Sequence, residues 1–325
     1  MAPAPRIAVP ADIDAAALRG FDPAAPLCAF AGETMGTTWQ VQAALPAKAN
    51  LAADDLQARI QVRLDGIVRE MSHWEADSDL SRYNRAPAGS AAALPTDFAT
   101  VMACALDIAR HSDGAFDPAQ GRLTDLWGLG PKPVQDAPND SAINEALRLS
   151  GWHKLAFASE TAMLHQLGGV WLDLSGIAKG YAADAVADLL GDLGLGHALV
   201  NIGGECAGRG MRPDGDPWWV DLESPPGLEL PPLRVALHQL SVATSGDYLR
   251  GAHTLDPRSG RPAIHATTAV SVIHRRCMEA DAWATALSVV ELPDAQMLAI
   301  RHDLAARILL RSGAEWLSPA LRAML

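Results

Sequence analysis

No C-x-x-C pair occurs in this chain: its four cysteines, Cys28, Cys104, Cys206 and Cys277, lie far apart. That spacing argues against a zinc or iron–sulfur centre. A structural disulfide stays open, although a chain of this length has little need of one. No stretch approaches the roughly 18 apolar residues of a membrane span. The N-terminal segment lacks the apolar core of a signal peptide and has no twin arginine. The chain therefore reads as cytoplasmic, with no transmembrane segment. Positive charge is also short: 26 Lys and Arg against 38 Asp and Glu leave a net charge of −12. That balance argues against nucleic acid as a partner, since a phosphate backbone needs a basic surface. A polyanionic ligand would be repelled unless a metal or a local Lys or Arg reversed the field. There is no repeat of fixed period and no low-complexity linker.

What is present is core-forming. Of 325 residues, 49% are hydrophobic and 20% charged, enough for one large or two ordinary domains. Helical spacing runs through Asp54 to Met71, Thr96 to Arg110 and Ser141 to Leu149. Strand patterns cover Thr38 to Ala44, Ala198 to Ile202, Trp218 to Leu222, Leu233 to Leu237, Leu240 to Thr244, Ala269 to Ile273 and Arg307 to Leu310. The polar segment Ser72 to Asn84 reads as turns, and Asp113 to Pro138 as a loop punctuated by Gly and Pro. Strands outnumber helices and their links have hairpin length. The fold class is therefore α+β, with mixed or antiparallel sheets and packed helices.

Two segments carry the most chemistry. In DLSGIAKGYAADAVADLL, Asp173 to Leu190, an apolar strand from Val170 to Leu174 runs through a small-residue turn into an amphipathic helix. Gly176 at that turn has no side chain to keep its carbonyl from a ligand. Lys179 puts a cation in the first helical turn, against the helix dipole, which an anion there would explain. A surface lysine on an ordinary strand–helix turn is the plainer alternative. In EADAWATAL, Glu279 to Leu287, Asp281 and Thr285 stand four residues apart on one helical face. Their flanks are apolar, so the carboxylate needs a partner or a cation. A carboxylate, a hydroxyl and an open carbonyl suit Mg2+ beside a phosphorylated ligand. Gly203-Gly204-Glu205 follows a buried strand and permits close approach, though a tight turn explains it equally. His253 and Asp256 flank a turn marked by Pro257 and Gly260, and a histidine there can serve as a base. Gly114 to Pro118 precede an aromatic and glycine loop around Trp127. Nine tryptophans against three tyrosines include Trp74, placed in polar sequence where an indole can stack on a planar ring.

In this order the motifs resemble the FAD:protein FMN transferase (ApbE) family over roughly residues 31 to 313. The resemblance rests on Glu33 to Thr38, Met71-Ser72 with Ser78 to Asn84, Gly114 to Pro118, Asp173 to Asp184, Asn201 to Glu205, Ser245 to Tyr248, His253 to Gly260, and Ala280-Asp281 with Thr285. It implies an ApbE-like flavin transferase fold: residues 1–30 as a flexible N-terminal arm and 31–325 as the flavin transferase domain. A division of that domain into two subdomains, with the FAD site between them, stays open. It implies a transferase with FAD as substrate and Mg2+ as cofactor. Such an enzyme cleaves the FAD pyrophosphate, joins FMN to a Thr or Ser hydroxyl of a target flavoprotein and releases AMP. Mapped onto this sequence, Met35, Trp74, Ala115, Phe116, Asp117, Asp173, Lys179 and Thr254 would contact FAD. Gly176, Asp281 and Thr285 would hold magnesium. His253 would be the base, with Asp256 as second candidate. Trp74 stands where the family more often has tyrosine, and Ser175 where it usually has a small apolar residue. The family is commonly exported, so a periplasmic location is the alternative to a cytoplasmic one. A magnesium-dependent FAD pyrophosphatase giving FMN and AMP, or an FAD carrier without turnover, are the competing functions.

Overall fold

The computed structural model describes residues 4–49, 51–134, 136–248 and 254–325. Its centre is an eight-stranded sheet in which every neighbouring pair is antiparallel. From one edge the order is Glu315–Leu317, Ala305–Leu310, Thr267–His274, Leu240–Gly246, Glu205–Arg209, Ala198–Ile202, Thr37–Ala44 and Leu27–Thr34. Period-two alternation divides the side chains between two cores. Val270, Val272, Ala243 and Ala207 face a large core built with the helices. Ile273, Val242 and Cys206 face a smaller one closed by Trp218, Leu233, Val235 and Leu237. Both faces of the central strands are covered, which is why Thr267 to Ile273 is buried without interruption.

The α+β class expected from the sequence holds, and so do the long helices. Ala53–Met71 buries Leu56, Ile60, Leu64 and Ile67 as its spacing predicts. Four local expectations do not hold. The segment from Val170 to Leu174 is not a strand: side chains and loops, rather than a neighbouring strand, satisfy its backbone. Asn84 brackets Leu172, accepting from its N–H at 2.7 Å and donating to its carbonyl at 3.0 Å. Asp173 N–H donates to the Pro118 carbonyl at 2.9 Å. The helix that follows, Ala178–Asp192, is not amphipathic: Gly180 to Ala187 are buried without a break, because it is wedged between other helices and the sheet. The polar segment contains a helix, Asp79–Arg85, capped by Ser78, whose hydroxyl accepts from the Ser81 amide at 3.0 Å. The long loop contains another, Gly121–Leu126.

Part of the N-terminal segment is held. Arg6–Ala8 pairs in parallel with Leu233–Val235, and the Arg6 guanidinium reaches Glu315, with Nη2 to Oε1 at 2.8 Å. Among the described residues no helix is long and apolar enough to cross a membrane.

Candidate active site

Two glycines let two helices meet. An added Cβ at Gly180 would lie 2.3 Å from the Cys277 carbonyl oxygen and 2.7 Å from Asp281 Cβ. The first turn of Ala178–Asp192 therefore rests directly on the helix Cys277–Val289. That contact has a chemical result. The Gly180 amide, which a longer helix would direct to the Gly176 carbonyl, donates instead to Asp281 Oδ2 at 2.9 Å. No backbone amide of the described residues bonds the Gly176 carbonyl. Gly176 also lies against Thr285: a Cβ there would sit 2.9 Å from Thr285 Oγ1 and 3.4 Å from the Phe116 ring. Gly176, distant in sequence, is thus brought beside the helix that carries both Asp281 and Thr285.

Gly176 shows no positive φ, so Gly176→Ala should leave the backbone unstrained while forcing Thr285 to rotate. The expected result is a stability change of about 1 kcal/mol with activity down about 100-fold. A thermal melt beside a single-turnover assay separates the two effects.

Lys179, on the same helical turn, forms an ion pair with Glu205 at the start of the strand Glu205–Arg209. Glu205 is almost wholly buried, and its Oε2 has no hydrogen-bond partner. Burial, the largest cause, and the nearby Asp281 raise its carboxyl to about 7 against the opposing pull of Lys179. Asp281 is raised by burial too, against the opposing pull of Lys179 and the Gly180 amide. Two buried carboxylates share the charge of one ammonium, and a cation would relieve the excess. The donors on offer are oxygens: a carbonyl, a carboxylate and a hydroxyl. Among the described residues no group of three His, Cys, Asp or Glu side chains could hold a metal. The set therefore suits a hard ion such as Mg2+, not a thiolate- or imidazole-seeking one.

Asp173 stands two residues before Ser175. Its Oδ1 accepts from the Ser175 amide at 2.9 Å and the Ser175 hydroxyl at 2.6 Å, and its Oδ2 accepts from the Thr124 hydroxyl at 2.5 Å. Burial alone would raise its pKa, but His73, Ser175 and Thr124 together hold it below the ordinary carboxylate value. Beside it opens a cleft of about 760 Å³, including its mouth, lined by His73, Trp74, Lys132, Trp171 and Asp173 among others. Trp74 is 61% exposed there, which leaves an indole surface for a planar ring. Trp171 is covered by the Arg122 guanidinium at 4.5 Å.

Ala115, Phe116 and Asp117 are buried next to these elements. Asp117 organises the loop, accepting from the Ala119 amide at 2.7 Å and the Trp152 amide at 2.9 Å. Burial nevertheless raises its carboxyl from 3.8 to about 6, the two amides and Lys154 opposing only in part. A raised acid favours the folded state while protonated, so its contribution is full below pH 3.8 and lost as pH climbs to about 6. That loss is worth about 3 kcal/mol. The wild type should therefore lose stability relative to Asp117→Asn between pH 4 and 6, and the gap should stay flat above pH 7. Melting both proteins across that range checks it.

Met35 takes the left-handed conformation, φ 49°, in the two-residue turn with Gly36 that joins the edge strand Leu27–Thr34 to its neighbour Thr37–Ala44. A non-glycine residue held there is a strain that functional sites often carry. Thr254 and Asp256 belong to a small hairpin, Leu255–Asp256 with Arg261–Pro262, tied to the aromatic loop by Trp127 Nε1 donating to the Gly260 carbonyl at 2.8 Å. The Asp256 carboxylate is engaged by Arg258, from Nε at 2.8 Å and Nη2 at 3.1 Å, and by the Arg258 amide at 3.0 Å. His253 lies outside the described residues.

The structure thus joins Gly176, Phe116, Asp281 and Thr285, and sets Lys179 beside Asp281. It puts Asp173 and Trp74 on one cleft. Among the described residues no hydrogen bond or ion pair ties Met35 or Thr254 to that group. Sequence reasoning assigned no role to Glu205, Thr124 or His73. A glutamate directly after two glycines and a buried strand was the available signal for the first.

The ApbE family model matches residues 35–308 of this chain. The chain belongs to the ApbE family. A curated relative from Salmonella typhimurium, named FAD:protein FMN transferase, is 32% identical over 90% of this chain and 88% of its own length. A second of the same name, from Vibrio cholerae, is 33% identical over 84% of each. Among solved structures, the apo form of the flavinyl transferase ApbE from Pseudomonas stutzeri superposes with a TM-score of 0.85 at 33% identity, covering 93% of this chain and 98% of that one. The flavin transferase ApbE from Vibrio cholerae does so with a TM-score of 0.85 at 30% identity, covering 93% and 100%. The ApbE-like fold expected from the motifs is therefore the fold present.

Proposed function

We propose that this ApbE-family transferase moves FMN from FAD to a Thr or Ser hydroxyl of a target flavoprotein and releases AMP, with Mg2+ as cofactor. The observation that carries the reading is the intercepted amide: Asp281 takes the Gly180 N–H and leaves the carbonyl of Gly176, a residue packed against Thr285, without a backbone donor among the described residues. Gly176, Asp281 and Thr285 would hold the ion. When bound, it supplies a Lewis acid for the pyrophosphate and offsets the charge of an acidic chain.

The chain's own groups do the rest. Trp74 offers a face for a planar ring. Asp173, fixed by Ser175 and Thr124, is kept ionised and so accepts hydrogen bonds from substrate hydroxyl or ring N–H groups. Lys179 neutralises part of the dinucleotide's phosphate charge. Phosphoryl transfer asks the protein mainly for position and charge, and a buried, preorganised set of this kind meets that demand. His253 is the proposed base toward the acceptor hydroxyl. Asp256 is the second candidate, and for that role it would have to leave Arg258.

The test is incubation with FAD, Mg2+ and a threonine-bearing flavoprotein acceptor. A fluorescent covalent adduct and one AMP per adduct, both abolished by chelator, are expected. Free FMN and AMP without an adduct would make the protein a pyrophosphatase. FAD uptake without metal-dependent AMP would make it a carrier.

A further inference from the structure

Glu205 is the buried charge near the site that the proposed chemistry does not use. It sits beside a carboxylate assigned to the cation and holds the ammonium that could neutralise that carboxylate. Lys179 and Gly180 are consecutive, and Gly180 touches Asp281 directly, through its amide at 2.9 Å and by close approach of its Cα. The Lys179 side chain leaves the backbone one residue from that contact, and its charge acts on the Asp281 carboxylate. The ammonium is found on Glu205. Glu205 is held there by the Gly203-Gly204 turn, both glycines with positive φ, and by its strand register opposite Ile202. Its second oxygen is buried without a partner, a cost that folding alone does not explain.

We propose that Glu205 is a positioning residue that draws Lys179 away from Asp281 and so keeps the Asp281 carboxylate available to the divalent cation. The inference rests on the cation reading above. It makes Glu205 and Lys179 a coupled pair: the glutamate matters to metal affinity because the lysine is there. Without Glu205 the ammonium loses that anchor and competes with the ion for Asp281, a carboxylate on which its charge already acts. Without Lys179 there is no competitor, and Glu205 acts on the ion only at a distance.

The experiment is a double-mutant cycle read by Mn2+ titration, with free Mn2+ followed by electron paramagnetic resonance and no FAD present. Glu205→Gln should weaken Mn2+ binding about tenfold in the wild-type background and about twofold in Lys179→Met. Lys179→Met alone should bind Mn2+ at least as tightly as the wild type. An equal loss from Glu205→Gln in both backgrounds overturns the proposal, since a merely structural glutamate would act the same way in each. If Glu205→Gln alone does not fold, the comparison of Glu205→Gln/Lys179→Met with Lys179→Met decides: a tenfold loss there overturns it, a twofold loss supports it. A wild-type protein that takes up no Mn2+ removes the cation reading itself, and this proposal with it.

Discussion

Asp281→Asn protein melts at or above the wild-type temperature at pH 8 without metal, yet transfers FMN at least about 10³-fold more slowly. Both halves of this expectation follow from one environment. The asparagine carbonyl keeps the acceptor that the Gly180 amide uses, so the junction of the two helices survives. The native carboxyl is wholly buried and its pKa is raised, burial being the main cause. The sign is definite: a raised acid costs stability at every pH above its unfolded value, because folding must then bury a charge. Replacing it with a neutral amide lifts that cost. What is lost is the formal charge among the oxygens facing the proposed cation. Differential scanning calorimetry and a single-turnover adduct assay on the same preparation are the measurements. A large drop in melting temperature, or transfer within tenfold of wild type, would refute the assignment.

How far the sequence announced this site depends on the residue. Asp281 and Thr285 were legible because a carboxylate amid Ala, Trp and Leu on a helix has no cheap structural explanation. The open Gly176 carbonyl was legible only as a possibility of a small turn. The fact that opens it, the diversion of the Gly180 amide, depends on a contact between residues 180 and 281 that no local pattern contains. Val170 to Leu174 misled for a related reason. Its apolar run is that of a buried strand, but Asn84 and Pro118 supply the hydrogen bonds that a ladder would have supplied. Leu27–Thr34 was missed because this half-exposed edge strand, LCAFAGET, has Thr34 as its single β-branched residue and so lacks the usual strand signature. The helix at Asp79–Arg85 was readable after the fact: a Ser cap, an acid in the first turn, arginines in the last. Its shortness and polarity hid it.

Gly180→Ala should have the largest structural effect of any single-methyl change near the site. The added carbon meets the Cys277 carbonyl oxygen at 2.3 Å and Asp281 Cβ at 2.7 Å, and both neighbours are main chain or nearly so. A flexible side chain could swing aside; a carbonyl inside a packed helix cannot. The helix Cys277–Val289 is itself fixed. Asp184, fully buried, accepts the Met278 amide at 2.9 Å and Arg209 at 3.0 Å, and the sheet lies behind it. Relief must come from separating the two helices, at a cost of about 3 kcal/mol, although alanine is otherwise the better helix former. For a chain of this size that corresponds to a fall of roughly 5 °C in melting temperature. Separation also lengthens the Gly180–Asp281 hydrogen bond, so the Gly176 carbonyl regains its ordinary helical partner and activity falls with stability. This pairing distinguishes Gly180→Ala from Gly176→Ala, where activity falls about 100-fold for a stability change of only about 1 kcal/mol. Parallel melts and turnover of the two variants would show whether the close approach of the helices, rather than the small size of the turn, is what shapes the oxygen-lined site.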